Sequence, residues 1–226
     1  MLDFLTIHGA LNPFYEGVLK ASSITILTSV VGFMIGLVFG VLLLIIRATC
    51  SAPLKALVKI YVSAMRGTPL LIQLLIAYYV IPSVLDIQLT PIEAGILALS
   101  LNTAAYISEI LRGALSTLSW GQVAAARALG MRGWTTWRYI LLPQIFHRSL
   151  PPLTNEFTIL VKASSLLSII SVAELSTLAR NANLQSNLPL QVFAATAVVY
   201  FIILFCASSL SRVIERRIAK VLPNAH

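Results

Sequence analysis

The chain has 226 residues, of which 58% are hydrophobic and 11% charged, and its formal net charge is +8. A mean hydropathy of +0.89 and so few charges exclude an ordinary soluble domain, where about a quarter of residues are charged. One aqueous core does not hide that much apolar side chain, so part of the surface faces lipid. The positive excess is not a nucleic-acid face, because the basic residues are scattered between apolar runs. Cys50 and Cys206 lie far apart, and neither they nor the isolated His8, His147 and His226 have a metal-ligand spacing. No phosphate-binding Gly-x-x-x-x-Gly-Lys-Ser/Thr loop occurs: Lys55 and Lys162 are each followed by Ala. Energy for any transport therefore comes from another chain or from an ion gradient.

A membrane span needs about 20 apolar residues. The first run, residues 22–46, has no charge until Arg47. It is too long for a signal sequence and no small-residue cleavage site follows, which predicts a retained helix. Gly32, Gly36 and Gly40 lie four apart on one face of it, where a neighbouring helix approaches closely. That neighbour belongs either to this chain or to a second one.

The second run, 60–82, is interrupted by Arg66-Gly67-Thr68-Pro69. Proline removes a donor and clashes with the preceding turn, so a kink or restart is predicted, with Thr68 as cap and Pro69 in first position. A half-helix beginning at membrane depth favours an anionic group. Arg66 either serves that region or extends to the interface. The third run, 92–111, places Asn102, Tyr106 and Glu109 on one face. Glu109 has a partner three residues on in Arg112, whereas Asn102 has no such neighbour and is predicted to line a pathway.

The fourth run, 150–170, carries Asn155, Glu156, Lys162, Ser164, Ser165 and Ser168. Glu156 and Lys162 are six apart, so on a regular helix they do not face each other. Each needs a partner elsewhere or a watery cavity. Sparse polar groups of this kind suit a path for a zwitterionic solute, or else they tie helices together. Gln73, Asn102, Tyr106, Asn155, Glu156, Lys162 and Ser165 are the pathway candidates. The fifth run, 188–210, is again uncharged.

Lys and Arg concentrate in alternate loops, from Arg47 to Arg66, from Arg112 to Arg148, and from Arg212 to Lys220. The opposite loops hold Asp3, Glu16, Asp86, Glu93 and Glu174 against Lys20 and Arg180. Positive loops stay in the cytoplasm, which predicts five spans with the N-terminus outside and the C-terminus inside. The segment 121–148 is then cytoplasmic. Its alanines favour helix over 122–129, and Gly130 suits a left-handed end. Trp134 and Trp137 are predicted to share an interfacial face, and Pro143 to mark a break before re-entry. A short alanine-faced helix standing in water is shaped to fill a groove on a partner. Neither an internal repeat nor a low-complexity linker is visible, so residues 1–226 read as one integral domain.

Five blocks occur in order: RGTPLLIQL at 66–74, LNTAAYISEILRGAL at 101–115, GQVAAARALGMRGWTTWRYILLPQ at 121–144, LPPLTNEF at 150–157 and KASSLLSIISVAEL at 162–175. Together, over roughly 15–218, they resemble the permease subunits of polar amino-acid ABC importers, the histidine/glutamine/cystine-type group. The resemblance implies an all-α type I importer fold in a bacterial cytoplasmic (inner) membrane. It implies a second permease, identical or homologous, two ABC ATPase subunits that bind ATP and Mg, and a soluble or lipid-anchored solute-binding protein. It implies no cofactor in this chain itself. Within the loop at about 117–148 it makes 121–129 the coupling helix, with Gly121, Gln122, Ala125, Ala126, Arg127, Leu129 and Gly130 as the ATPase-coupling residues. Two positions depart from the family pattern: Ala124 stands where Glu is usual, and Ala163 where Asp or Asn is frequent. An ABC permease for another small solute and an ATPase-independent carrier or channel are the alternative readings.

Overall fold

The three glycines of the first run set the central packing. The computed structural model describes residues 2–221, with side chains over 11–213 apart from Pro13. Helix α1 (Leu2–Thr49) lies along α5 (Pro91–Ser116) so closely that only glycine fits at the crossing. A Cβ at Gly36 would lie 3.0 Å from Thr103 Cγ2 and 3.1 Å from the Ser100 carbonyl, and one at Gly40 would lie 2.7 Å from Ile107 Cγ2. The neighbour that the glycine ladder receives is thus a helix of this same chain. Thr90 and Glu93 start α5 with a reciprocal capping box, and Pro91 occupies its first turn.

Beside α1, α5 packs on α2 (Ala52–Gly67), α3 (Leu70–Leu75) and α8 (Leu142–Ala163); α4 (Ile81–Leu85) follows α3, α9 (Leu175–Ser186) packs on α1, and α10 (Pro189–Val221) packs on α8 and α9. Two short helices, α6 (Trp120–Ala128) and α7 (Gly133–Thr136), join α5 to α8. The described elements are all helical. One apolar cluster joins Leu44, Ile107, Leu111, Leu141, Ile145 and Leu153 near the α6 end. A second joins Leu74, Ala77, Ala98, Leu99, Leu160 and Leu167 in the other half. Large apolar side chains face outward along α1 (Met34, Val38, Phe39) and α10 (Phe201, Ile202, Phe205), as expected of helices facing lipid on one side.

Among the described residues, four helical stretches are long and apolar enough to cross a membrane: Phe14–Thr49, Pro91–Ser116, Gly133–Ile170 and Pro189–Val213. The predicted second crossing is not one helix over 60–82. It is a pair, Ala52–Gly67 and Leu70–Leu85, bent by 108° at the predicted break, and it completes a set of five if the pair is one span. Thr68 does not cap the resumed helix. Its hydroxyl donates to the Ala64 carbonyl at 2.8 Å, and Pro69 itself is the N-cap. Pro143 makes no break either, for it sits in the first turn of α8 directly after a widened π turn at Trp137–Leu141. That turn shifts the bonding pattern from i−4 to i−5, which relieves the clash that proline makes in a regular helix. Trp134 and Trp137 face different ways. Trp134 is exposed and Trp137 packs on the inner apolar cluster.

At the end away from α6, Glu174 is fully buried instead of standing free among outer-loop acids. It caps α9 by accepting from the Ser176 and Thr177 amides, both at 2.8 Å, and from the Tyr200 hydroxyl at 3.1 Å. Burial pushes its carboxyl above the usual range, and these donors act against that shift. The Leu175 amide donates to Thr25 Oγ1 at 3.1 Å. One carboxylate therefore helps to hold α1, α9 and α10 together.

Candidate functional site

The break in the second crossing frees backbone carbonyls at membrane depth, where they need donors. Gln73 supplies them. Its amide nitrogen donates to the Met65 carbonyl at 2.8 Å, to Thr68 Oγ1 at 2.8 Å and to the Thr68 carbonyl at 3.2 Å. Asn102 of α5 completes the knot, donating to Gln73 Oε1 at 2.9 Å and to the Met65 carbonyl at 3.3 Å. Asn102 thus has partners after all, and they are tertiary ones. Both amides hold the break open at a fixed angle.

Beside this knot lies a cavity of about 630 Å³ between the break, α5 and α8. Asn102, Thr103, Tyr106 and Ile110 face it from one side of α5, and Pro152, Asn155, Glu156 and Ile159 from one side of α8. Both sets follow the three-and-four spacing of a helix face. Asn102 and Tyr106 lie near the middle of α5, so the cavity is at mid-helix depth. Glu156 is only 7% exposed. Among the described residues it accepts no hydrogen bond. The cavity is open on one side, because Thr68, Pro69, Pro152, Asn155 and Ile159 in its wall are exposed.

Of the seven pathway candidates, Asn102, Tyr106, Asn155 and Glu156 line this space, and Gln73 braces it from behind. Lys162 and Ser165 do not line it. Lys162 points to the exposed side of α8, and Ser165 donates to the Lys162 carbonyl at 2.8 Å. The six-residue separation turns Lys162 about 120° away from Glu156, so the two do not face each other on a regular helix. Thr68, Thr103 and Pro152 were missed; Thr103 shares the α5 face of Asn102 and Tyr106, and that face was the available signal.

Below the cavity, toward α6, Glu109 collects three arginines. Arg112 donates to it at 2.9 and 3.0 Å, Arg47 of α1 makes a direct ion pair, and Arg66 stands at 3.8 Å. The local partner read from the sequence is present, and two more come from other helices. The ends of α1 and α2 are tied to α5 through one carboxylate.

The segment beyond α5 folds as a capped helix. Ser119 accepts from the Gly121 amide at 3.3 Å, and Gly130 takes φ +74°. The Met131 amide reaches the Ala126 carbonyl at 3.0 Å and the Gly130 amide that of Arg127 at 2.9 Å, the closure expected of a left-handed glycine stop. Gly121, Gln122, Ala125, Arg127, Leu129 and Gly130 are exposed, Leu129 at 82%. Ala126 is not: it is 2% exposed and turned toward the chain's own body. The helix also leans on its own chain through Val123 and through Gln122, which accepts from Gln144 Nε2 at 2.8 Å. Arg148 bridges the ends of the whole loop by donating to Thr117 Oγ1 at 2.8 Å and to its carbonyl at 2.9 Å.

A multi-span helical protein with a broken crossing, a mid-depth cavity carrying a few polar groups and a capped helix at its basic end has the parts of a membrane transport subunit. The chain belongs to the family described as binding-protein-dependent transport system inner membrane component, whose model matches residues 32–220. It is 37% identical to the L-cystine transport system permease protein TcyB of Bacillus subtilis over 86% of this chain and 83% of that one. It is 33% identical to the glutamine transport system permease protein GlnP of Escherichia coli over 92% and 95%. A solved amino acid ABC transporter with histidines superposes with a TM-score of 0.82 and 30% identity, covering 96% of this chain and 99% of that chain. The MetNI methionine ABC transporter shares the fold alone, with a TM-score of 0.73 at 23% identity and coverage of 90% and 95%. The architecture is that of a type I ABC importer permease.

Proposed function

We propose that this chain forms the translocation pathway of an ATP-driven importer for a polar amino acid. The observation that carries the reading is the mid-depth cavity with an unpaired Glu156 and the amides and phenol of Asn102, Asn155 and Tyr106 around it. A buried carboxylate without a fixed partner suits a transient ammonium, which every α-amino acid brings. The relatives named for cystine and glutamine transport support the same class of solute. The open wall of the cavity is closed in this reading by a second permease, identical or homologous. The exposed residues of α6, namely Gly121, Gln122, Ala125, Arg127 and Leu129 with the Gly130 stop, seat in an ABC ATPase, which carries the ATP and Mg. A solute-binding protein delivers the amino acid from the opposite side. The basic end bearing α6 faces the cytoplasm and the N-terminus lies outside, in keeping with the distribution of Lys and Arg.

The test is purification through a tag on this chain, followed by reconstitution into liposomes. ATP-dependent uptake of labelled cystine, glutamine or arginine, with a stoichiometric ATPase in the preparation, is the expected result. Uptake that persists without any ATPase would turn the assignment to an ion-gradient carrier.

A further inference from the structure

Arg66 is the residue that the function above leaves without a task. It ends α2 immediately before the break, and its neighbours Thr68 and Pro69 form the cavity wall. Of the three arginines around Glu109 it is held most loosely. Arg112 makes two hydrogen bonds and Arg47 a direct pair, whereas Arg66 stands 3.8 Å away. A single carboxylate does not neutralise three guanidinium groups, so the cluster keeps an excess of positive charge. The Arg66 guanidinium also lies over the Tyr106 ring, 5.3 Å from its centre, and Tyr106 is a wall of the cavity. The cavity therefore has a buried carboxyl group within, and Arg66 stands beside its Thr68, Pro69 and Tyr106 wall on the side of the Glu109 cluster.

We infer that Arg66 is a specificity-determining residue that takes the α-carboxylate of the transported amino acid as it leaves the cavity, exchanging Glu109 for the solute. This deepens the amino-acid reading above and rests on it. Guanidinium suits the task because its planar fork grips a carboxylate with two parallel bonds. The stacking on Tyr106 holds that fork at the rim in either state. Arg47 and Arg112 remain on Glu109, so its charge stays paired when Arg66 departs. A zwitterion then lies along the path with its ammonium toward Glu156 and its carboxylate toward Arg66, and an amine lacking the carboxylate has no partner at the rim.

The test uses the complex purified through this chain, in lipid nanodiscs. Affinities are measured by calorimetry for arginine against agmatine and for cystine against cystamine, pairs that differ by the carboxylate. Loss of a charge-assisted bidentate contact predicts a wild-type preference for the amino acid of roughly tenfold or more. In R66Q that preference falls toward one while amine binding is unchanged, and in R66K it is partly kept. E109Q, which releases Arg66, keeps or raises it. A purely structural role for Arg66 would weaken amino acid and amine alike and leave the ratio where it was; that result overturns the inference. Should R66Q fail to assemble, equal binding of the paired probes by the wild type also overturns it. If the wild type binds none of the amino acids, the proposed function falls with it. If it binds them and only the R66Q ratio is unmoved, the proposed function stands and the role of Arg66 does not.

Discussion

Glu156 shows how much a single side chain carries here. It is buried on the cavity face of α8. Replacing it by Gln keeps shape and removes charge. For a charged hydrogen bond worth about 1.5–3 kcal/mol, uptake by the reconstituted complex should fall roughly tenfold to a hundredfold. Unchanged uptake in E156Q would remove this residue from the pathway. Gly130 is a different case. There is open space around it, and the constraint is its φ of +74°. Gly130→Val, a β-branched residue forced left-handed, should cost about 1–3 kcal/mol locally, disorder the end of α6 and abolish uptake while membrane insertion persists. Comparing uptake with the amount of chain recovered from membranes checks this. Asn102 marks what sequence reading cannot supply at this scale. Its polarity and depth pointed to the cavity, but its bonds to Gln73 and Met65 come from residues 29 and 37 positions away, and no local pattern predicts them.

Among the elements, the pairing of α1 with α5 is the most demanding. Gly40 has Ile107 Cγ2 within 2.7 Å and the Ala104 carbonyl within 3.1 Å of where a Cβ would stand. Gly40→Leu should therefore force the helices apart at a cost of about 1–3 kcal/mol, lowering the thermal midpoint of the purified protein. An unchanged midpoint would mean that the crossing is looser than described. The 108° bend between α2 and α3 depends instead on polar satisfaction. Gln73→Leu removes donors from the Met65 and Thr68 carbonyls and the acceptor of Asn102, leaving Asn102 as the donor to Met65, and about 0.5–1.5 kcal/mol of stability should be lost for each hydrogen bond removed. Thermal unfolding of Q73L alone and with N102L measures the coupling of the pair, which should be strongly non-additive because they share the Met65 carbonyl. The existence and type of these helices were readable from hydrophobic runs and turn residues. The π turn at Trp137–Leu141 and the tolerance of Pro143 were not, since they depend on how α8 is held by its neighbours.

At the level of the molecule, orientation is the statement most open to test. Cys50 follows α1 at the basic end, and Cys206 lies on the exposed face of α10. In a chain with Cys206→Ser, a membrane-impermeant maleimide should label Cys50 only when the cytoplasmic side is accessible, as in inverted vesicles. Labelling in intact cells would reverse the topology. The open cavity wall makes a companion expectation: the purified complex should contain two permease chains, and mass measurement of the intact assembly decides whether they are identical.

The sequence by itself determined that the chain is helical, that it lives in a membrane, which loops are basic and where a capped helix interrupts the spans. These follow from composition, period and local turn chemistry, all of which act over a few residues. The ordered blocks also carried the family, because each one answers to a local demand of the fold. Only the tertiary structure decided which polar groups serve the cavity and which serve the scaffold. Glu156 lines the cavity whereas Lys162 on the same helix does not, Ala126 turns inward from an otherwise exposed helix, and Glu109 gathers arginines from three helices. The reason is physical: burial and pairing are properties of helix rotation and crossing, and those are fixed by close packing between segments far apart in the chain.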